Sequence, residues 1–216
     1  MDVVIQDNIK KTSKIYLIIK RVFDFISATA VLIILSPVFL IIAALIKRED
    51  GGKILYVQNR VGKNGKPLGI YKFRSMKENA DKLEDFLTPE ELEEYKINFK
   101  LDNDRRITKI GNFLRKSSLD ELPQLLNIIK GEMSVVGPRP VLQEETLLYG
   151  DDRDKLLSVK PGLTGYWQAY ARNMVGYEDH KRQDMELYYV AHQSIWLDIK
   201  IIFKTVGTVI SRSGAK

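Results

Sequence analysis

The chain has 216 residues, with 34 Lys/Arg against 28 Asp/Glu, a net charge of +6 and no cysteine. That length suits one sizeable domain plus an anchor, and the missing thiols exclude disulfides, zinc-thiolate sites and cysteine nucleophiles. Residues 1–53 carry eight Lys/Arg against five Asp/Glu and residues 196–216 carry four against one, while the residues between hold 22 of each. A nucleic-acid binder concentrates basic charge on its folded domain, so a surplus confined to the two ends points instead to an anionic membrane surface.

Residues 1–20 read as a basic, partly helical lead-in on that surface, with Ile15, Leu17, Ile18 and Ile19 placed for shallow insertion. They are too polar, and the run that follows too long, for a removable signal peptide. Residues 25–46 contain no charge. At about 1.5 Å per residue this run makes a helix of roughly 33 Å, enough to cross a hydrocarbon core of about 30 Å. Two features argue against a simple span. Pro37 lacks the N–H that would bond the Ile33 carbonyl, and the Ser36 hydroxyl favours a bend by bonding back to Leu32. Lys10, Lys11, Lys14, Lys20 and Arg21 precede the run and Lys47, Arg48 and Lys53 follow it, so the charges that mark a cytoplasmic side mark both ends. Residues 21–48 are therefore expected to dip into the inner leaflet, break at Ser36-Pro37 and return to the same face. A kinked single span is the alternative, because prolines are common in membrane helices.

After the anchor, residues 54–61 and 68–73 are β-branched and aromatic runs, which predict a hairpin turning at Asn64-Gly65. Lys66 is followed by Pro67 and then a strand, so the Gly/Lys turn is no P-loop. Residues 75–100 have a charged, helical pattern, with Thr88, Pro89 and Glu91 supplying a capping box, and residues 105–116 form a short basic amphipathic element. Ser118 followed by Glu121 predicts a second capping box, leading a helix with Leu122, Leu125, Leu126 and Ile129 on one face. By themselves, Asp120 and Glu121 are first-turn acids that complement a helix dipole. Residues 134–136 read as a short strand, Gly137-Pro138-Arg139-Pro140 as a rigid corner around one guanidinium, and residues 141–157 as a helix. Lys160-Pro161-Gly162-Leu163-Thr164-Gly165 is a punctuated loop able to accommodate a nucleotide diphosphate, and Arg172-Asn173 follows it. His180 and His192 have no partners at metal-ligand spacing. Residues 196–210 form an amphipathic helix suited equally to the lipid interface or to the domain core.

Taken in order, several motifs carry a resemblance. They are Lys20-Arg21-Val22-Phe23-Asp24, the Ser36-Pro37 break, Gln58-Asn59-Arg60-Val61-Gly62 and Tyr71-Lys72-Phe73-Arg74-Ser75-Met76. Ser118-Leu119-Asp120-Glu121-Leu122-Pro123-Gln124, Gly137-Pro138-Arg139-Pro140 and Lys160 to Gly165 complete the set. Together they resemble the bacterial sugar transferases known as monotopic phosphoglycosyl transferases, in their short form consisting of the catalytic unit. The resemblance implies an α+β, mostly helical, membrane-associated single domain. Its parts would be a re-entrant helix-break-helix anchor, a small β-hairpin, surface amphipathic helices and a cytosolic catalytic region over residues 49–216.

It implies transfer of a sugar-1-phosphate from a UDP-sugar to polyprenyl (undecaprenyl) phosphate at the cytoplasmic face of the membrane, releasing UMP in the first membrane step of exopolysaccharide, capsule or glycoconjugate assembly. Asp120 matches the family's nucleophile, which takes the phosphosugar covalently. Glu121 matches its neighbour, which helps to bind Mg²⁺, with Asp120 as the other candidate ligand. Lys72, Arg115, Arg139 and, less closely, Arg172 match as phosphate contacts, with Gly162 and Thr164 beside the nucleotide. Where the family often has Gly-Arg-Asn this chain has Ala171-Arg172-Asn173. The implied partners are the UDP-sugar, the polyprenyl phosphate and anionic inner-leaflet lipid, with no nucleic acid; the sugar and the oligomeric state are not legible. A non-catalytic scaffold at the membrane surface is the competing reading.

Overall fold

The computed structural model describes residues 12–98, 101, 104–171, 175, 177 and 180–210. They form a mostly helical fold with two two-stranded sheets. Two compact units interleave along the chain, one from residues up to 34, 57–71 and 124 onward, the other from 35–56 and 72–123.

The apolar run is broken as its sequence requires. Helix α1 is Lys14–Ile34 and α2 is Ser36–Asp50, with Leu35 between them. Pro37 sits in the first turn of α2, where a missing N–H leaves no bond unmade. Among the described residues no single helix is long and apolar enough to cross a membrane; α1 and α2 reach that length only as a pair, bent by 61° at the break. Helix α1 also absorbs the expected lead-in from Lys14 onward, and the part of that lead-in before residue 12 lies outside the described residues.

Strands β1 (Leu55–Val61) and β2 (Pro67–Phe73) make the expected hairpin. Asn64 and Gly65 at its turn both adopt positive φ, 58° and 74°, which suits the Asn-Gly pair.

In the first unit α1 packs on α5 (Leu125–Lys130), whose last carbonyls, of Ile128 and Ile129, each accept a 2.7 Å bond from the Arg21 guanidinium. Strands β3 (Ser134–Val136) and β4 (Gly162–Thr164) pair in parallel, with Ser134 opposite Gly162 and Val136 opposite Thr164. A Cβ on Gly162 would lie 2.1 Å from the Gly137 nitrogen, so that pairing needs glycine. Helix α6 (Arg153–Leu157) places Leu156 in a cluster with Val141, Tyr149 and Leu187, while α7 (Tyr166–Tyr170), α8 (Lys181–His192) and α9 (Ile195–Ile210) pack around the strand pair, with Val136, Ala169, Tyr189 and Ile201 at the centre. Asp198 of α9 accepts bonds from Tyr16 (2.8 Å) and Lys20 (2.7 Å) of α1 and from Tyr189 of α8 (2.7 Å). Trp196 and Phe203 of α9 stay about three-quarters exposed.

In the second unit Ile42 and Ile46 of α2 pack with Phe73 and with Leu114 of α4 (Lys109–Lys116). Helix α3 (Pro89–Asn98) opens with the expected capping box, Thr88 N–H donating to Glu91 Oε2 at 2.9 Å and Glu91 N–H to Thr88 Oγ1 at 3.3 Å.

Three expected helices are shorter or tighter than their patterns suggest. Of residues 75–98 only α3 is α-helical; Met76 instead bridges Ile107, and Leu83–Asp85 is a single 3-10 turn. Residues 141–157 contain a 3-10 stretch, Glu145–Asp152, kinked where Gly150 takes φ 49°, followed by the short α6. At residues 118–129 Ser118 has φ 56°, outside the extended region of a capping residue. The chain then runs as a 3-10 turn, Leu119–Gln124, containing Pro123, before α5 begins at Leu125. The i→i+4 bond lost at a proline and the φ > 0 entry favour the tighter turn over the expected helix start.

Candidate active site

Four of the expected site residues come together within the second unit. Strand β2 ends at Lys72-Phe73, and the Phe73 ring packs into the Ile42, Ile46 and Leu114 cluster. Helix α4 crosses the segment after β2 so closely that a Cβ on Gly111 would sit 1.9 Å from the Ser75 carbonyl oxygen. That approach lets Arg115, in the last turn of α4, donate from Nε to Ser75 Oγ at 2.9 Å. Leu119 and Leu122 pack against the same cluster, anchoring the 3-10 turn from which Asp120 and Glu121 extend.

Lys72 Nζ lies 3.7 Å from Glu121 Oε1. The Asp120 carboxyl is buried, and its pKa is pushed up to about 6, first by the loss of water and then by the neighbouring Glu121 charge; Lys72 and Arg115 act in the opposite direction. A carboxylate in such surroundings is costly to ionise and correspondingly more basic than an exposed aspartate. Around this group Arg74 pairs with Asp50, and Arg106 with Asp104 at 2.6 Å while also bonding the Ala80 carbonyl at 3.1 Å. No local pattern in the sequence marks Ser75 or Gly111 as a site residue: Ser75 lies inside the Tyr71–Met76 motif, but its bond to Arg115 spans forty positions.

Arg139, Gly162 and Thr164 belong to the first unit. The Arg139 N–H donates to Glu186 Oε2 at 3.1 Å, and Glu186 is wholly buried, its pKa raised to about 7 by the loss of water. The Gly162 N–H is bonded to the Pro138 carbonyl at 2.8 Å, and the Thr164 and Thr205 hydroxyls share a 2.7 Å bond. The Thr164 carbonyl also accepts from the Gly137 N–H at 2.9 Å, so both residues hold the corner that carries Arg139. A buried network supports the same corner, with Glu145 accepting from Arg60 at 2.9 Å and from Tyr177 at 3.1 Å, and the Arg182 guanidinium lying over the Trp167 and Tyr177 rings. Arg172 lies outside the described residues. Among the described residues no three His, Cys, Asp or Glu side chains form a metal-binding group.

The sequence matches the profile of the family described as bacterial sugar transferase over residues 15–212. It is 45% identical over 214 residues to the UDP-galactose-lipid carrier transferase of Erwinia amylovora, covering 98% of this chain and 44% of that protein. Identity and coverage are the same for the undecaprenyl-phosphate galactose phosphotransferase of Salmonella typhimurium. Against the exopolysaccharide production protein ExoY of Rhizobium meliloti it is 47% identical over 199 residues, covering 91% of this chain and 87% of that one. The chain thus spans less than half the length of the first two relatives and most of the third. From the match across nearly all of its residues, the chain belongs to the bacterial sugar transferase family.

Proposed function

We propose that the chain transfers a sugar-1-phosphate from a UDP-sugar to a polyprenyl phosphate, forming a polyprenyl diphosphate sugar and UMP. The observation that carries this reading is the buried Asp120 carboxyl, with its pKa near 6, beside Glu121, Lys72 and Arg115. In the first step an Asp120 oxygen attacks the phosphorus that bears the sugar. The bond from that phosphorus to the bridging oxygen breaks, and UMP leaves with the electron pair. In the second step an oxygen of the polyprenyl phosphate attacks the same phosphorus, and Asp120 departs as a carboxylate. Splitting the transfer lets a bulky lipid enter after the nucleotide has gone. A carboxyl titrating near 6 is ionised at neutral pH yet more basic than an exposed one, which suits a nucleophile.

Lys72 and Arg115 offset the repulsion between carboxylate and phosphates. Arg139 and Arg172 are proposed as further phosphate contacts, with Gly162 and Thr164 shaping the loop beside the nucleotide. Mg²⁺ is commonly held by one or two carboxylates, with substrate phosphates completing its shell. The donor set fits, because Glu121 and Asp120 are close enough for their charges to act on each other. Bound there, Mg²⁺ would neutralise part of the diphosphate charge.

We place the reaction at the cytoplasmic face of the membrane, with α1 and α2 as a re-entrant anchor in the inner leaflet. In support, Ile15, Ile18, Ile33 and Ile34 of α1 and Leu40 and Ile41 of α2 are all more than 60% exposed. The names of two relatives make UDP-galactose the first donor to try. The test is UMP release by solubilised protein with Mg²⁺ and undecaprenyl phosphate, one UDP-sugar at a time. Lipid-dependent release that is lost in Asp120→Asn is the expected result. Full activity in that variant would remove the nucleophile, and no release with any donor would favour a non-catalytic scaffold.

A further inference from the structure

The first unit contains a cleft lined by three lysines to which the proposed chemistry gives no role, although one of them, Lys160, opens the loop that carries Gly162 and Thr164. Its volume is about 300 Å³, and it lies between the β1–β2 turn, the start of β2 and the end of α5. Its charged lining is Lys63, Lys66 and Lys160 against one carboxylate, Glu132. None of the three lysines forms an ion pair among the described residues, whereas Glu132 is already engaged by the Asn127 amide at 2.7 Å.

Two further features favour an anion there. The C-terminal end of a helix repels anions, but at α5 the Ile128 and Ile129 carbonyls are bonded by Arg21, whose guanidinium would lie 3.2 Å from a Cβ on Gly131 at the cleft wall. Lys160 is destabilised as an ammonium, first by burial and then by the positive charge of Arg21, with the Asp24 carboxylate opposing and Lys63 adding a smaller share. An entering anion relieves that repulsion. The source of the anion follows from α1, because the turns that carry Arg21 also expose Ile15, Ile18, Ile19 and Val22, at 45–70%. Apolar surface beginning beside a basic cleft is the arrangement that receives a lipid headgroup.

We infer that the cleft lined by Lys63, Lys66 and Lys160 binds a phosphate group, presented by an anionic phospholipid headgroup rather than by a soluble compound. The inference does not depend on the Asp120 assignment. The test is acylation footprinting of lysines on the full chain, on phosphatidylcholine vesicles with or without phosphatidylglycerol and in detergent with or without inorganic phosphate. Phosphatidylglycerol is expected to slow acylation of Lys63, Lys66 and Lys160 by about fivefold, with the exposed Lys82 and Lys109 unchanged. Inorganic phosphate in detergent is expected to change nothing.

Protection by inorganic phosphate equal to that by the vesicles would overturn the lipid assignment, and equal rates in all conditions would overturn the site. In vesicle flotation the triple variant K63Q/K66Q/K160Q should lose about tenfold of the phosphatidylglycerol-dependent gain. The charge-matched K82Q/K109Q/K116Q should retain it. Equal losses in the two triples would reduce the effect to general charge and refute the cleft.

Discussion

The burial that raises the pKa of Asp120 costs the fold stability. Its carboxyl moves from an ordinary value of 3.8 to about 6 in the folded chain, so between those pH values the unfolded chain releases a proton that the folded chain keeps. Stability is therefore highest below pH 4 on this account, falls as pH rises toward 6, and is lower by roughly 3 kcal/mol above it. Asp120→Asn should melt at a higher temperature than the parent at pH 7.5, with the difference shrinking toward pH 4, while sugar-phosphate transfer falls at least a thousandfold. Thermal unfolding in one detergent across that pH range, beside UMP release, checks both. If Asp120 is the nucleophile as proposed, the same carboxyl sets the acid limb of the parent: kcat/KM should drop below about pH 6 as it protonates. A limb that moves toward pH 4 as Mg²⁺ is raised would mean that the bound cation offsets the burial of Asp120.

At the scale of elements, the site depends on α4 lying directly against the chain after β2. Gly111 permits that contact, since an added methyl would meet Ser75 backbone at 1.9 Å, and backbone has no rotamer through which to yield. Gly111→Ala should cost about 1–3 kcal/mol by overpacking and detach Arg115 from Ser75. Both the melting temperature and turnover should fall, whereas Ser75→Ala should lower turnover with little loss of stability. The helix break belongs to this scale too. With no native cysteine, single cysteines at Ile5 and Leu55 can be labelled from either side of sealed vesicles. A re-entrant pair puts both labels on one side, and opposite sides would establish a single span.

For the whole molecule, the membrane-facing assignment rests on exposed apolar side chains held by buried polar groups. Asp198 joins Tyr16 and Lys20 of α1 to Tyr189 of α8, so α9 is fixed to α1 by bonds of 2.7–2.8 Å within one unit. Trp196 is 75% exposed while Trp167 is buried, so an emission shift on vesicle binding reports α9. A blue shift on anionic vesicles is expected, abolished in Trp196→Phe. Asp198→Ala should loosen α9 and reduce the shift without removing the indole.

Local chemistry in the sequence determined the Asn64-Gly65 hairpin turn, the Thr88 capping box, the break before Pro37 and the adjacency of Asp120 and Glu121. Each depends on residues within a few positions of one another, and steric limits on φ, a missing N–H or a short side-chain bond act at that range. Only the tertiary structure decided the parallel pairing of β3 with β4, the tight turn at residues 119–124, the kink at Gly150 and the bond from Arg115 to Ser75. These arise from contacts between distant segments, where the close approach of backbone at Gly111 and Gly162 outweighs the helical periodicity of any one stretch. The elevated pKa of Asp120 is of the same kind. The sequence shows two neighbouring carboxylates, but the burial that raises Asp120 and the Lys72 and Arg115 charges that act against it come only from the folded chain.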